Sequence, residues 1–498
     1  MVLRRLKRQF LFSIALGSLL TTSAHAAKII SYCHMDDTGK ELQGSANVMN
    51  QNQKYPVASV SKLFTSLVVA TTYNLDQKFT TKVYATPVDK YSYDVHIVGS
   101  PDPYFNRYKM HMVISRLNEA GITSIRKLTF DENVKYLHDT DAYHGFRAGR
   151  QWVRPTVLKA DMSYPPKELV KSELQQTWLV MKDYNTSFKL AKQAGMLMFK
   201  NPKFKVAKVE FLSTADFTPP TDAKAIKLFV ASQDIRTMLK SMNWNSNNFA
   251  ANRLLVDTGG VQKLTTFYAD VLKMSANDLT FVNGSGQNHD LTGSGRLYNE
   301  ASCIAVVKTV RALKMAVERQ GKKLQDVVSV MGTDLGSTVG GKAYISAKTR
   351  DLVIAKTGTV GTNIALGGMI NGIAGPNYFF INVQLNNESK AEEKRAHTLI
   401  NAQLVKFIKQ IGGAKPLNYV MNNPLGDSLE NYDDEASGSN DDNAAPATKF
   451  SEDLDGDDAN KPFGGAALLP TPPAIPADIV AKAALNSKGA AVATPSSK

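Results

Sequence analysis

Residues 352–385 carry three strand-like runs, Leu352–Thr357, Asn363–Ile370 and Tyr378–Leu385, with only short spacers between them. Gly372, Gly375 and Pro376 make the last two a hairpin, because such residues turn the chain sharply. A helical pattern at about Lys390–Ile411 comes next and stops at Gly412 and Gly413. A first strand is compatible with Lys28 to Tyr32, and a helix runs from Ser59 to about Tyr73. From Ser232 the pattern is helical again: Ile235, Met238, Leu239 and Met242 form one stripe, and Phe249, Leu254 and Leu255 extend it. Helices at about Val261–Met274 and Asn299–Arg319 continue the series. Between these helical stretches the texture changes. Phe79–Ala85 and Tyr91–Ile97 alternate, Ser100 to Pro103 turns, and a helix at Phe105–Ala120 is stopped by Gly121. A strand spans Ile122–Phe130, and the mixed strand and loop texture runs on to about Phe229, punctuated by Pro155, Pro165, Pro166, Pro219 and Pro220. The chain therefore reads as an α/β (α+β) body interrupted by a strand-rich insert at about 79–225.

The compartment is written at the N-terminus. Arg4, Arg5, Lys7 and Arg8 precede an apolar run from Phe10 to Leu20, and Ala24-His25-Ala26 offers a small-residue cleavage site. This is the pattern of a secretory signal peptide over 1–26. The run is too short for an ordinary transmembrane helix, and no later segment approaches 18 uninterrupted apolar residues, so no membrane anchor is expected. In an oxidising compartment Cys33 and Cys303 are either a pair or two buried thiols, and the sequence does not position them. Zinc spacings are absent and the eight histidines form no His-x-x-x-His pair around a Glu, which argues against a metal mechanism.

The formal net charge of +14 hides an asymmetry. Residues 427–458 hold 12 acidic side chains and one basic one, Lys449, whereas residues 27–426 hold 50 Lys and Arg against 32 Asp and Glu, near +18. A basic body suits a polyanionic or carboxylate-bearing partner. In an exported chain that means cell-envelope polymer before nucleic acid, although plain solubility accounts for the charge equally well. Beyond Pro416 the sequence is acidic, then Ala- and Pro-rich, and reads as a disordered tail that cannot bury enough surface to offset its ordering entropy. Asp453–Asp458 hints at calcium, but its Gly is misplaced for an EF-hand loop.

Three short motifs carry chemistry. Ser59-Val60-Ser61-Lys62 opens the first helix, so a hydroxyl and an amine share one face at a helix N-terminus, where backbone N–H groups are unpaired. Such a serine can be deprotonated locally and attack a carbonyl. Ser-x-x-Lys arises by chance about twice in a chain this long, and it recurs at Ser124–Lys127 in an alternating stretch where residues three apart face opposite sides. Ser246-Asn247-Asn248 lies between two helices; alone it is a cap or loop. Lys356-Thr357-Gly358 lies in a strand, where the Gly marks a bulge or the close approach of another backbone. Lys356 and Gly358 share a face, so a cation stands beside an open strand edge able to hold an extended peptide and its carboxylate. The Gly-rich loop from Asn283-Gly-Ser-Gly286 to Gly293-Ser-Gly295 lacks the Gly-Lys-Ser/Thr of a nucleotide site.

In this order the motifs resemble the Ser-x-x-Lys, Ser-x-Asn and Lys-Thr-Gly set of the penicillin-recognising serine enzymes. Ser59 to Ser246 spans 187 residues and Ser246 to Lys356 spans 110. That spacing resembles the penicillin-binding protein 4 family of D-alanyl-D-alanine carboxypeptidases/endopeptidases. The texts Ala58–Thr65, Val282–Gly286, Ala355–Gly358 and, in the insert, Gly99–Pro103 look like the same family, over roughly residues 28–415. The insert is shorter than that family's two-domain insertion, Asn247 replaces the commoner Asp, and the tail has no counterpart.

The resemblance implies a β-lactamase-like fold, an antiparallel sheet flanked by helices plus an all-α subdomain. The catalytic domain would comprise 27–78 and 226–415, the insert 79–225 and the tail 416–498. It implies that Ser59 attacks the D-Ala carbonyl of a peptidoglycan stem peptide while neutral Lys62 takes its proton and Ser246 relays it. Asn248 would hold the substrate amide, and Lys356 and Thr357 its carboxylate, with Gly358 beside them. The backbone N–H groups of Ser59 and Thr359 would form the oxyanion hole. No cofactor is implied, β-lactams would act as inhibitors, and the location would be the periplasm. Two rivals remain: a class A-like β-lactamase, disfavoured because the first Glu after Asn248 is Glu300, and a non-catalytic envelope-binding protein of the same fold.

Overall fold

The computed structural model describes residues 26–40, 48–105, 113–114, 116–134, 146–148, 151–153, 205–222, 224–287, 297–341, 343–344 and 346–420. Residues 1–25 of the expected signal peptide, Pro155, Pro165 and Pro166, the far half of the Gly-rich loop and the chain beyond Val420 lie outside the described residues. In chain order the strands are β1 (Lys28–Asp36), β2 (Lys54–Pro56), β3 (Lys78–Pro87), β4 (Tyr93–Val98), β5 (Ser124–Phe130), β6 (Phe146–Ala148) and β7 (Gln151–Val153). They continue as β8 (Lys205–Phe211), β9 (Ile226–Asp234), β10 (Leu279–Thr280), β11 (Glu300–Ser302), β12 (Val353–Val360), β13 (Asn363–Asn371) and β14 (Pro376–Gln384). The helices are α1 (Ser61–Thr72), α2 (Ile235–Trp244), α3 (Asn248–Asp257), α4 (Gly260–Val271), α5 (Cys303–Glu318) and α6 (Lys390–Gln410).

Two compact units share the described residues: 26–69 with 238–420, and 70–153 with 205–237. The first is built on an antiparallel sheet in the order β1-β14-β13-β12. Its strands are buried on both faces, so they read as continuous apolar runs rather than as alternation. One face packs Ile364, Leu366, Ile370, Phe379 and Ile381 against Ala396, Ile400, Leu404 and Phe407 of α6. On the other face Gly367 has no side chain because Val306 of α5 and Val60 sit where one would lie, each 3.1 Å from the position of a Cβ. Cys33 of β1 and Cys303 of α5 form a disulfide with Cα atoms 6.0 Å apart, which settles the alternative left open by the sequence.

The second unit holds a mixed sheet in the order β8-β5-β4-β3-β9. Strands β4, β5 and β8 run parallel, and residues 113–114 and 116–119 are helical between β4 and β5, burying Val113, Ile114 and Leu117 in this unit's core. A parallel pair needs such a crossover. The second Ser-x-x-Lys match, Ser124 to Lys127, lies in β5.

Three expectations are corrected. Residues 226–234 form β9, paired with β3 of the second unit, so the chain returns to helix at Ile235 rather than at Ser232 and the expected boundary at 226 falls too early. Glu300 begins strand β11, held between β10 and β2, and the helix starts at Cys303 with Ser302 as its N-cap. The ordered chain does not stop at Pro416: the Leu417 N–H bonds to the Asp351 carbonyl at 2.8 Å and the Tyr419 hydroxyl reaches Asp334 at 2.9 Å.

Candidate active site

Strain marks the start of the site. Ala58 (φ 48) and Ser246 (φ 57) both adopt the left-handed region. Each costs a non-glycine residue about 1–2 kcal/mol, and such residues persist only where the surroundings hold them. Ala58 leads a single 3₁₀ turn, Ala58–Val60, which tightens the entry to α1 and leaves Ser59 half-buried at its apex. Phe64, one turn further on, anchors α1 against Tyr268 and Phe281, with ring centroids 5.2 and 4.7 Å away.

Lys62 is fully buried beneath Ser59. Its Nζ lies 2.9 Å from Ser59 Oγ, 2.6 Å from Asn248 Oδ1 and 2.9 Å from the Ser285 carbonyl oxygen. Burial, and then the nearby Lys356 cation, hold the Lys62 amine well below the ordinary lysine range. The geometry then aims the amine. A neutral amine keeps two hydrogens and one lone pair, and the Asn248 and Ser285 oxygens can only accept. Both hydrogens are drawn to them, which leaves the lone pair on the Ser59 hydroxyl, the one partner of the three able to give up a proton.

Asn248 is placed by the neighbouring residue. Asn247 caps α3, accepting the Ala250 N–H at 2.9 Å, and is buried in doing so. That local bond is worth about 1 kcal/mol and needs an oxygen acceptor rather than a charge, so Asn serves as well as Asp at this position. Ser246, half-buried, precedes it at the end of the loop from α2.

Lys356 lies on β12, also fully buried, with burial pushing its ammonium down to about 7. It donates to the Thr357 carbonyl at 3.0 Å. Among the described residues, backbone partners meet the outer edge of β12 in its first half: the Met331 N–H bonds to the Val353 carbonyl and the Ala355 N–H to the Ser329 carbonyl. By strand alternation the amides of Thr357 and Thr359 point to that same outer edge. Gly358 explains how the strand reaches Ser59. A Cβ there would lie 2.7 Å from the Val57 carbonyl oxygen and 3.0 Å from the Ser59 nitrogen. Gly358 thus packs directly on the turn that holds Ser59, and the exposed Thr359 follows it in the strand.

Sequence reasoning missed the Ser285 carbonyl and the amide network behind it. Asn283 Oδ1 accepts the N–H groups of Ser285 at 3.0 Å and Gly286 at 2.7 Å. Asn299 in turn donates to the Asn283 carbonyl at 2.8 Å, and its own carbonyl accepts the Val57 N–H at 3.0 Å. Gly286 (φ 78) comes so close that a Cβ would stand 1.8 Å from the Ala58 carbonyl oxygen. Asn-Gly-Ser-Gly is an Asx-turn signature, so the turn is readable, but a backbone acceptor has no side-chain signal. Among the described residues no cluster of His, Cys, Asp and Glu could hold a metal ion, and no helix is long and apolar enough to cross a membrane.

Residues 38–145 and 216–410 match the family model of the D-Ala-D-Ala carboxypeptidase 3 (S13) family. The chain belongs to that family. It is a serine-type D-Ala-D-Ala peptidase, and its fold is that of the penicillin-binding protein 4 group. Among solved structures, a predatory peptidoglycan endopeptidase from Bdellovibrio bacteriovorus is 29% identical, with a TM-score of 0.68, over 80% of this chain and 97% of that one. The penicillin G-acylated form of that endopeptidase, with its immunity protein, matches at 29% identity, a TM-score of 0.67 and the same coverage. Penicillin-binding protein 4 from Haemophilus influenzae shares the fold at 14% identity and a TM-score of 0.52, over 76% of this chain and 97% of that one. No curated protein sequence matches this S13 chain.

Proposed function

We propose that this S13 peptidase cleaves D-alanyl peptide bonds in peptidoglycan through an acyl-enzyme on Ser59, acting on cross-links as well as on free stem-peptide ends. The observation that carries the reading is the placement of Lys62 Nζ between Ser59 Oγ and two acceptor-only oxygens. Ser59 Oγ bonds to the D-Ala carbonyl carbon as its proton passes to Lys62 Nζ. The carbonyl π electrons move onto oxygen, which the Ser59 and Thr359 amides stabilise by about 3–4 kcal/mol per donor. Collapse breaks the C–N bond, and the leaving amine takes the proton through Ser246. Water then attacks the ester and restores Ser59. Lys356 and Thr357 bind the carboxylate beside the scissile bond, Gly358 keeps the strand against the nucleophile, and Asn248 holds the substrate amide as well as Lys62. Penicillin acylates Ser59 by the same route, in line with the acylated Bdellovibrio endopeptidase.

We place the protein outside the cytoplasmic membrane, in the periplasm, on the signal pattern of residues 1–26 and the site of its substrate. The decisive experiment incubates the mature protein with cross-linked muropeptides and separates the products. Dimers converted to monomers show endopeptidase action, and loss of terminal D-Ala shows carboxypeptidase action. No turnover, together with penicillin labelling that survives Ser59→Ala, would refute the assignment.

A further inference from the structure

Outside the reacting groups, the molecule buries a second lysine that the mechanism does not use. Lys240 of α2 is almost wholly enclosed, and its three N–H bonds go to the Gln325 carbonyl at 2.9 Å, the Val328 carbonyl at 2.9 Å and Asp334 Oδ2 at 2.5 Å. Asp334 is fully buried and also accepts the Val330 N–H at 2.7 Å. Its other oxygen accepts the Tyr419 hydroxyl at 2.9 Å, and the Lys240 ammonium lies 5.0 Å from the centre of the Tyr419 ring. All three ammonium hydrogens and both carboxylate oxygens of the ion pair thereby have partners, the condition under which a buried pair is tolerated.

The pair joins the two sides of the active site. On one side α2 runs from Lys240 to Trp244, whose carbonyl accepts the Thr338 N–H at 3.0 Å, and two residues later comes Ser246 in its left-handed conformation. On the other side Ser329 and Met331 pair with the outer edge of β12, immediately before Lys356. Asn243 adds a tie from α2 to the Val327 carbonyl at 2.9 Å and to Ser66 of α1 at 3.0 Å. The last member, Tyr419, is delivered by a strap. Lys415 N–H bonds to the Asn371 carbonyl, Asn371 Nδ2 bonds to the Lys415 carbonyl, and Leu417 N–H bonds to the Asp351 carbonyl.

We propose that Tyr419, held by the 415–419 strap, is a positioning residue for acylation: it locks the Lys240–Asp334 pair, which sets the Ser246 arm against the strand that carries Lys356. The inference rests on the reading of Ser59 as nucleophile. Deleting the Tyr419 hydrogen bond to this buried charge should lower a rate that depends on this alignment about tenfold.

The test measures penicillin G acylation of the full chain, of Ser59→Ala, of Tyr419→Phe, which removes only the hydroxyl, and of Leu417→Pro, which removes the strap's N–H. Ser59→Ala reports on the nucleophile: label on that variant, or none on the parent, overturns the nucleophile reading and the strap proposal with it. Given a labelled parent and an unlabelled Ser59→Ala, the strap is judged separately. The expected result for Tyr419→Phe is one penicillin bound per chain, as in the parent, with the limiting acylation rate constant lowered about tenfold and the half-saturating penicillin concentration little changed. Leu417→Pro should fall at least as far. A rate constant for Tyr419→Phe within twofold of the parent, or a loss only of stoichiometry in step with unfolding, overturns the proposal.

Discussion

At the scale of single residues, the site sets stability against function. Lys62 and Lys356 are both fully enclosed, and burial lowers the affinity of each for its proton. Replacing Lys62 by Met should abolish penicillin labelling and raise folding stability by about 1–2 kcal/mol, measured as a shift in the urea midpoint, because the desolvated amine is gone and the chain length is kept. Lys356 makes a pH prediction. Its folded value of about 7 lies below the ordinary 10.5, so it is cationic below neutrality and loses its charge as pH rises through that point. On the proposed role of this cation in binding the substrate carboxylate, kcat/KM for a carboxylate-ended stem peptide should decline on the alkaline side from about pH 7, as kcat/KM reports the free enzyme. The sign for stability is the reverse. Between about 7 and 10.5 the unfolded chain binds the extra proton, so this residue favours folding increasingly as pH rises.

At the scale of elements, two glycines let neighbouring segments close on the 58–60 turn, Gly358 from β12 and Gly286 from the 283–286 loop. Gly358→Ala would press a methyl group against the Val57 carbonyl oxygen and the Ser59 nitrogen. Acylation by penicillin should fall at least tenfold as β12 is pushed outward, with an overpacking cost of about 1–3 kcal/mol in the denaturation midpoint. Much at this scale is legible in the sequence. The three strand runs from residue 352, the α2 stripe of Ile235, Met238, Leu239 and Met242, and the close approach at Gly358 all follow from periodicity and side-chain size. The errors have physical causes. Residues 232–234 continue a strand because β3 supplies its partner, and periodicity over three residues carries no information about partners. Glu300 reads as helical because the stretch after it is, yet β2 and β10 draw it into a small sheet. The covering of the first half of β12 by residues 329–331, and the Ser285 carbonyl on Lys62, are backbone contacts across long sequence distances, and no residue type announces them.

At the scale of the whole molecule, the Cys33–Cys303 disulfide closes a sequence separation of 270 residues, tying the first strand of the sheet to the helix packed on it. Replacing both cysteines by serine should lower the unfolding free energy by about 2–5 kcal/mol, measured by urea denaturation, while residual folded protein still takes penicillin at the parental rate. The half-covered edge of β12 has a consequence for inhibitors. Among the described residues, the outward-turned amides left beyond Ala355 before the strand ends are those of Thr357 and Thr359, a stub of about 7 Å at roughly 3.3 Å per residue. Main-chain pairing is therefore exhausted by a fragment the size of a dipeptide. On the proposed reading of this edge as the ligand's docking strand, lengthening the backbone of a β-lactam past that stub should gain no further sheet contact, and tighter compounds are expected from substituents that branch sideways rather than from longer chains.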